Sequence, residues 1–435
     1  MIRAGIFCLF FLLLLNPTPG FSNSLIDEAD AQTHGLSRPW VSQVQLDRSR
    51  DKVESVTLGN GIVLVQTQLG TLQAFDAETG KSLWVNHVGS PRHPTTPIGV
   101  GPGHVAVING SQLHIFDRLT GKFIWKRKVG GSVGAAPEVN KEHVFVPKVN
   151  GILEAYELKG AVHPVWKHKA HGRSMVQPVV SGTTVGWPSD RGAFYVAATK
   201  PPEILFRTEI YDGIDFRPTF LHSHYYIASN NGYLYKVHEK TGDIKWRFST
   251  GESIANRPIV TDGRVYITTE QGGLYCISST LGVRKEPRAA AKTNVRNSDN
   301  NQQIWQNKDV VRLLAVTPDR IFGMDKLDNI HILSTDTGRS LGRLQTEGIS
   351  LPVVNHISDR IYLVTDTGLV QCLRDTRLSK PHYHSLQNNI GANNKQPGTD
   401  GESVEGSANL SEEGTENRNS GENASEEKSE NPFDS

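Results

Sequence analysis

The sequence predicts an all-β chain folded as an eight-bladed β-propeller, with four-stranded antiparallel blades and a last blade closed by a strand from the N-terminal end. Three observations predict it. First, "AFDAETGKSLW" (Ala74 to Trp84) recurs as "IFDRLTGKFIW" (Ile115 to Trp125), and related phrases follow about every 40 residues. Second, each unit holds short period-2 apolar runs separated by Gly or Asn-Gly turns, as in "RVYITTEQGGLYCIS", which is strand rather than helix patterning. Third, the body from Trp40 to Leu378, less one long insertion, is about eight times a 40-residue unit. One four-stranded sheet cannot bury both of its faces, so units of this period stack around an axis.

Taken in order, the chain opens with Arg3, an unbroken apolar run from Ile6 to Leu15, and small residues around Gly20 and Ser22. This is the pattern of a secretory signal peptide (1–22), and the run is too short to span a bilayer. Cys8 lies inside the run, not at its end, which argues against a lipid anchor. The expected mature chain is exported, periplasmic or extracellular, with no transmembrane segment. The propeller is expected over 38–378, starting with "RPWVSQV", a Trp-bearing strand without a unit of its own that completes the last blade and removes its open edge.

Within each unit the letters have roles. A Pro-containing segment (Pro97, Pro137, Pro178, Pro218, Pro258, Pro352) is the innermost strand. A Gly before the third strand (Gly70, Gly110, Gly151, Gly192, Gly232, Gly273, Gly368, with Asn329 standing in once) permits a positive φ. A Thr-Gly or similar turn, written in full as Asp-x-x-Thr-Gly at Gly80 and Gly121, leads to the fourth strand at Gly80, Gly121, Gly242, Gly282 and Gly338. An aromatic on that outermost strand (Trp84, Trp125, Trp166, Phe206, Trp246) is placed to lie between blades, where its area contributes most.

Two segments stand outside the pattern. The sixth unit carries an insertion (284–303) with Arg284, Lys285, Arg288, Lys292 and Arg296, too long and polar for a packed connection. Residues 381–435 are rich in Asn, Ser, Gly and Glu, carry a net charge of about −8, and read as a disordered acidic tail on a basic body. Apolar content of 37% suits a soluble body rather than a membrane protein.

The columns Gly-x-Leu-x-Ala-x-Asp-x-x-Thr-Gly-x-x-x-Trp resemble the pyrroloquinoline-quinone-type propeller repeat, found in quinoprotein alcohol dehydrogenases and in an outer-membrane β-barrel assembly lipoprotein. The resemblance covers about residues 40–378. Its enzymatic branch implies a quinone beside Ca²⁺, a catalytic Asp and a disulfide between adjacent cysteines. This chain has no adjacent cysteine pair: Cys276 and Cys372 both occupy the column of Ala74, two blades apart, and are expected to be small core residues. No Cys-x-x-Cys-His site and no Ca²⁺ ligand set can be carried over. Neither quinone nor calcium is therefore expected.

No catalytic residue and no metal site is expected either. His163, His168 and His171 have mixed parity, and His222 and His224 lack a third ligand nearby. The candidate site is the column before the innermost-strand Pro, where Gln177, Arg217 and Arg257 follow one another at one mouth of the central channel, with Asp212, Asp215 and Glu252 in their neighbourhoods. Two readings stand there: salt bridges that tie blades together, or a surface for a carboxylate or a partner loop. The functional expectation is a non-catalytic, monomeric, exported scaffold that binds protein partners in the envelope and not nucleic acid. The alternatives are a quinone-dependent oxidoreductase and a carbohydrate- or polyanion-binding propeller.

Overall fold

A computed structural model describes residues 26–384 except 91, 92, 94, 161, 262, 281–301 and 347–350. The signal-peptide segment, almost all of the expected insertion and residues 385–435 lie outside the described residues.

Eight four-stranded antiparallel sheets make the blades. Blade 1 consists of Val53–Gly59, Ile62–Thr67, Thr71–Asp76 and Ser82–His87, in that order from the centre outward. Blades 2 to 7 repeat the order over 99–128, 138–169, 179–209, 219–249, 259–307 and 312–344. Blade 8 takes its three inner strands from 351–375 and its outermost strand from Leu36–Gln43, paired antiparallel to Leu369–Asp375 with Trp40 opposite Cys372. The closing strand therefore starts two residues before the expected Arg38. Its register slips between Ser37 and Trp40, where Pro39 has no N–H to give to the ladder.

The second strands are not half-exposed. Ile62–Thr67 is buried at all six positions, and the second strands of blades 3 and 4 are buried throughout. In a stacked ring both faces of a sheet meet a neighbour, so the alternation sorts side chains between two interfaces rather than between core and water. Val63, Val65 and Phe75 of blade 1 join Trp40, Tyr362, Val364 and Cys372 of blade 8. Ile62, Leu64, Leu72 and Ala74, of opposite parity, join Ile98, Val105, Val107 and Phe116 of blade 2. The described buried apolar residues form eight such clusters, one per interface. Each fully buried side chain of this size contributes roughly 1.5–3 kcal/mol relative to exposure.

The outermost aromatics lock the interfaces. Trp84 Nε1 donates to the Arg118 carbonyl of the next blade at 2.8 Å, Trp125 to Leu158 at 2.9 Å, Trp246 to Ser279 at 3.2 Å and Trp305 to Thr335 at 2.9 Å. Trp40 of the closing strand does the same to Ala77 at 3.1 Å. Gly121 shows why this turn needs glycine twice over: its φ is +67°, and a Cβ there would sit 2.5 Å from the Trp84 ring. Trp166 departs from the pattern. Blade 4 turns through Thr199 to Pro202 without a glycine, and Trp166 stays half-buried, packed edge-on against Trp187 at 5.9 Å. All seven glycines before the third strand have positive φ, from 60° to 147°.

Ring closure is reinforced by charge. Arg360 of blade 8 is fully buried, holds Asp359 at 3.2 Å and reaches Glu78 of blade 1 at 3.0 Å. A short helix, Glu28–Thr33, precedes the closing strand, and Ile26 exchanges two hydrogen bonds with the buried Gln371 side chain. At the other boundary, ordered contacts run past 378: Tyr383 bridges Ser358, and the His384 N–H donates to Ile357 O. Residues 381–384, expected in the tail, thus belong to the ring. Gln302 is buried and Gln303 begins the outermost strand of blade 6, so the sixth-blade connection ends before both, short of the expected 303.

Candidate functional site

The innermost strands of adjacent blades touch around the axis and enclose a central channel. A cavity of about 450 Å³ occupies it, lined from blades 1 to 6 and blade 8 and opening among the turns that join first and second strands. The innermost strands are short, Glu138–Val139 and Val179–Val180 being two residues each. Long side chains placed just before them therefore run along the channel wall.

Arg217 and Arg257 do so, and both line the cavity. Arg217 reaches across blade 4 to Glu138 of blade 3, Nη2 to Oε1 at 2.6 Å. Gln177 lies between them: its Oε1 accepts from Arg217 Nη1 at 3.3 Å, and its Nε2 donates to Glu138 Oε2 and Pro137 O, each at 3.0 Å. Arg257 donates through Nε to Thr219 Oγ1 at 3.0 Å and through Nη1 to His356 Nε2 of blade 8 at 2.7 Å. Two sets of contacts, each including a residue of blade 5, thus tie blades 3, 4 and 5 and blades 5, 6 and 8.

The expected acidic neighbours play other parts. Asp215 accepts from Asn230 at 2.8 Å, Asp212 caps the Gly213 N–H, and Glu252 Oε2 is buried without a partner. The carboxylate that counts is Glu138, which directly follows Pro137. It is the one acid in a column otherwise filled by Ile98, Val179, Thr219, Ile259 and Val353, and that departure was the signal for it. His356 and His384 had no such signal: His356 lies in the turn between the first two strands of blade 8, and His384 lies beyond the last repeat.

The electrostatics are those of a walled-in, cation-rich site. Burial pushes the Glu138 carboxyl up while Arg217 and Arg257 pull it down. Burial, then the neighbouring Arg217, holds the Arg257 guanidinium well below the ordinary arginine value. Burial and the two arginines also hold His356 far below the usual imidazole range, which keeps it a neutral acceptor for Arg257. His384 is lowered to about 4 by burial, and neither of its ring nitrogens has a partner.

The remaining candidates are not assembled into chemistry. His163 and His171 are exposed, and His168 sits among Trp166, Trp187 and Tyr195. His224 faces His238 at 5.4 Å. No group of three His, Cys, Asp or Glu among the described residues could hold a metal ion. Cys276 and Cys372 are free and buried in blades 6 and 8. Burial pushes the Cys276 thiol up to about 12, which removes thiolate character.

The sequence model of a family described as outer membrane protein assembly factor BamB matches residues 68–199 and 195–345, from the third strand of blade 1 to the end of blade 7. The chain belongs to this family. Among solved structures, BamB from Moraxella catarrhalis is similar at a TM-score of 0.59 with 17% identity, over 78% of this chain and 99% of that one. A computationally designed protein, Ika8, is similar at 0.57 with 12% identity, over 76% and 98%. At these identities the likeness shows the fold. Among curated proteins, none matches the sequence significantly.

The Ca²⁺ of the enzymatic branch of such propellers does not fit the described lining residues of this BamB-family channel. Its lining carboxylates among the described residues are Glu138 and Glu142, and they are engaged by Arg217 and Lys200 respectively. Calcium requires about six to eight oxygen ligands.

Proposed function

We propose that the chain is a non-catalytic scaffold of the cell envelope, exported after signal-peptide cleavage, whose rigid ring binds protein partners. The observation that carries this reading is the family match over residues 68–345, because the family is described as an outer membrane protein assembly factor. The solved BamB whose fold matches along nearly its whole length supports it. A ring with an apolar cluster packed at each of its eight interfaces suits the role, since a rigid platform presents loops at low entropic cost on binding. No described helix is long and apolar enough to cross a membrane.

The test is affinity purification of the tagged chain from cross-linked native envelopes, with fractionation in parallel. The expected outcome is a processed protein in the envelope or periplasmic fraction that co-purifies with membrane assembly proteins. An unprocessed cytosolic protein with no envelope partner would overturn the reading. Addition of quinone and Ca²⁺ is expected to leave no stoichiometric chromophore on the purified chain, and a bound one would revive the oxidoreductase alternative.

A further inference from the structure

We propose that the central channel is a binding site for a small organic monocarboxylate, gripped by Arg257 and Arg217 with its hydrocarbon part against the apolar wall. This inference stands on the channel wall and is independent of the scaffold reading.

The charge count motivates it. Among the described lining residues the cations are Lys141, Lys200, Arg217 and Arg257, and the anions are Glu138 and Glu142. Lys200 takes Glu142 at the rim, and Arg217 takes Glu138 inside. Arg257 is left beside a second guanidinium with only neutral acceptors, the Thr219 hydroxyl and the His356 imidazole. Lys141 is exposed and satisfied by water, whereas a walled-in charge is tolerated when it is paired, so the interior of the site is one anion short.

Geometry adds two open positions. Arg217 Nε is buried with no partner, and so are both ring nitrogens of His384, whose side chain borders the same cavity. Guanidinium groups present planar forks that match a carboxylate, and a neutral imidazole can add one further donor. A carboxylate therefore satisfies donors that the protein leaves unsatisfied.

The apolar wall selects the rest of the ligand. Leu58, Val100, Val139, Phe220, Leu221 and Val260 line the cavity beside the cationic cluster. A volume of about 450 Å³ is in the range of small-molecule sites, which are mostly apolar with a few placed polar groups. An inorganic anion would leave this wall facing water, whereas a hydrocarbon body would cover it.

Titration calorimetry on the full chain with hexanoate, its neutral isostere hexanamide and inorganic phosphate tests the proposal. Hexanoate is expected to bind one to one and at least tenfold more tightly than either control. Arg257→Gln is expected to weaken hexanoate at least tenfold while the melting temperature holds or rises, since the substitution removes an unpaired charge. Equal affinity for hexanamide, tighter binding of phosphate, or unchanged hexanoate affinity in the variant would each overturn the proposal. Should the variant not fold, arginine modification of the unaltered chain decides. Hexanoate is expected to slow phenylglyoxal labelling of Arg257 at least fivefold, and to leave Arg173, 64% exposed beside Asp190, unaffected. Equal labelling of Arg257 with and without hexanoate would overturn it.

Discussion

The side chain that shapes the channel most is Glu138, 7% exposed and held by two partners from two other blades. Removing Arg217 would leave this carboxylate walled in without its counter-ion, and breaking such a pair by deleting one partner costs about 3–5 kcal/mol. Arg217 is itself 23% exposed to the channel, so solvent screening moves the expectation to the lower end. Arg217→Ala should lower stability by about 2–3 kcal/mol in urea unfolding, and a second change, Glu138→Gln, should restore most of the loss. A double variant no more stable than Arg217→Ala would show that the carboxylate is not what the arginine satisfies. The expectation that these arginines tie blades together is thus met by Arg217, through an acid that the neighbouring Asp212, Asp215 and Glu252 had obscured. Arg257 makes its ties to neutral groups.

At the scale of the strand and turn, the repeated Thr-Gly phrase encodes two separate demands that substitution can separate. Gly61 and Gly121 both have positive φ, +80° and +67°. A Cβ on Gly61 meets nothing within 4 Å, whereas one on Gly121 meets the Trp84 ring at 2.5 Å. Gly61→Ala should therefore cost only the left-handed penalty of about 1–2 kcal/mol. Gly121→Ala should cost clearly more, about 3–5 kcal/mol, because the docked indole must also move and release the Arg118 carbonyl. Thermal unfolding of the two variants side by side measures the difference, and equal losses would mean that the ring does not depend on the close approach. Trp166 marks the limit of reading such columns. The aromatic recurs in sequence, but blade 4 lacks the glycine turn that would receive it, so the ring packs against Trp187 instead.

For the whole molecule the decisive feature is closure. The closing strand supplies the fourth edge of blade 8, the indole that docks on Ala77, and Ser42, which donates to Gly80 O at 2.7 Å. Without it, Leu369–Asp375 would present an unpaired edge and the interface between blades 8 and 1 would lose its outer layer. A chain lacking residues 36–44 should aggregate or unfold over a broadened transition at lower temperature. A melting curve identical to that of the intact chain would mean that the ring holds without the strand, through Arg360 and Glu78 alone.

Blade number, strand order, the closing strand and the glycine and tryptophan columns were all legible in the chain of letters. Each is a local demand, a left-handed φ or a flat apolar ring, repeated at a constant period, and repetition separates such demands from chance. The contents of the channel obey no period. Glu138 and Arg217 lie 79 residues apart, and Arg257 and His356 lie 99 apart. His384 returns from beyond the last repeat to border the same cavity. Which of these side chains meet, and that only one of the two guanidinium groups there grips the carboxylate, is decided only when the eight blades close around one axis. Closure brings residues distant in sequence within hydrogen-bonding reach of one another.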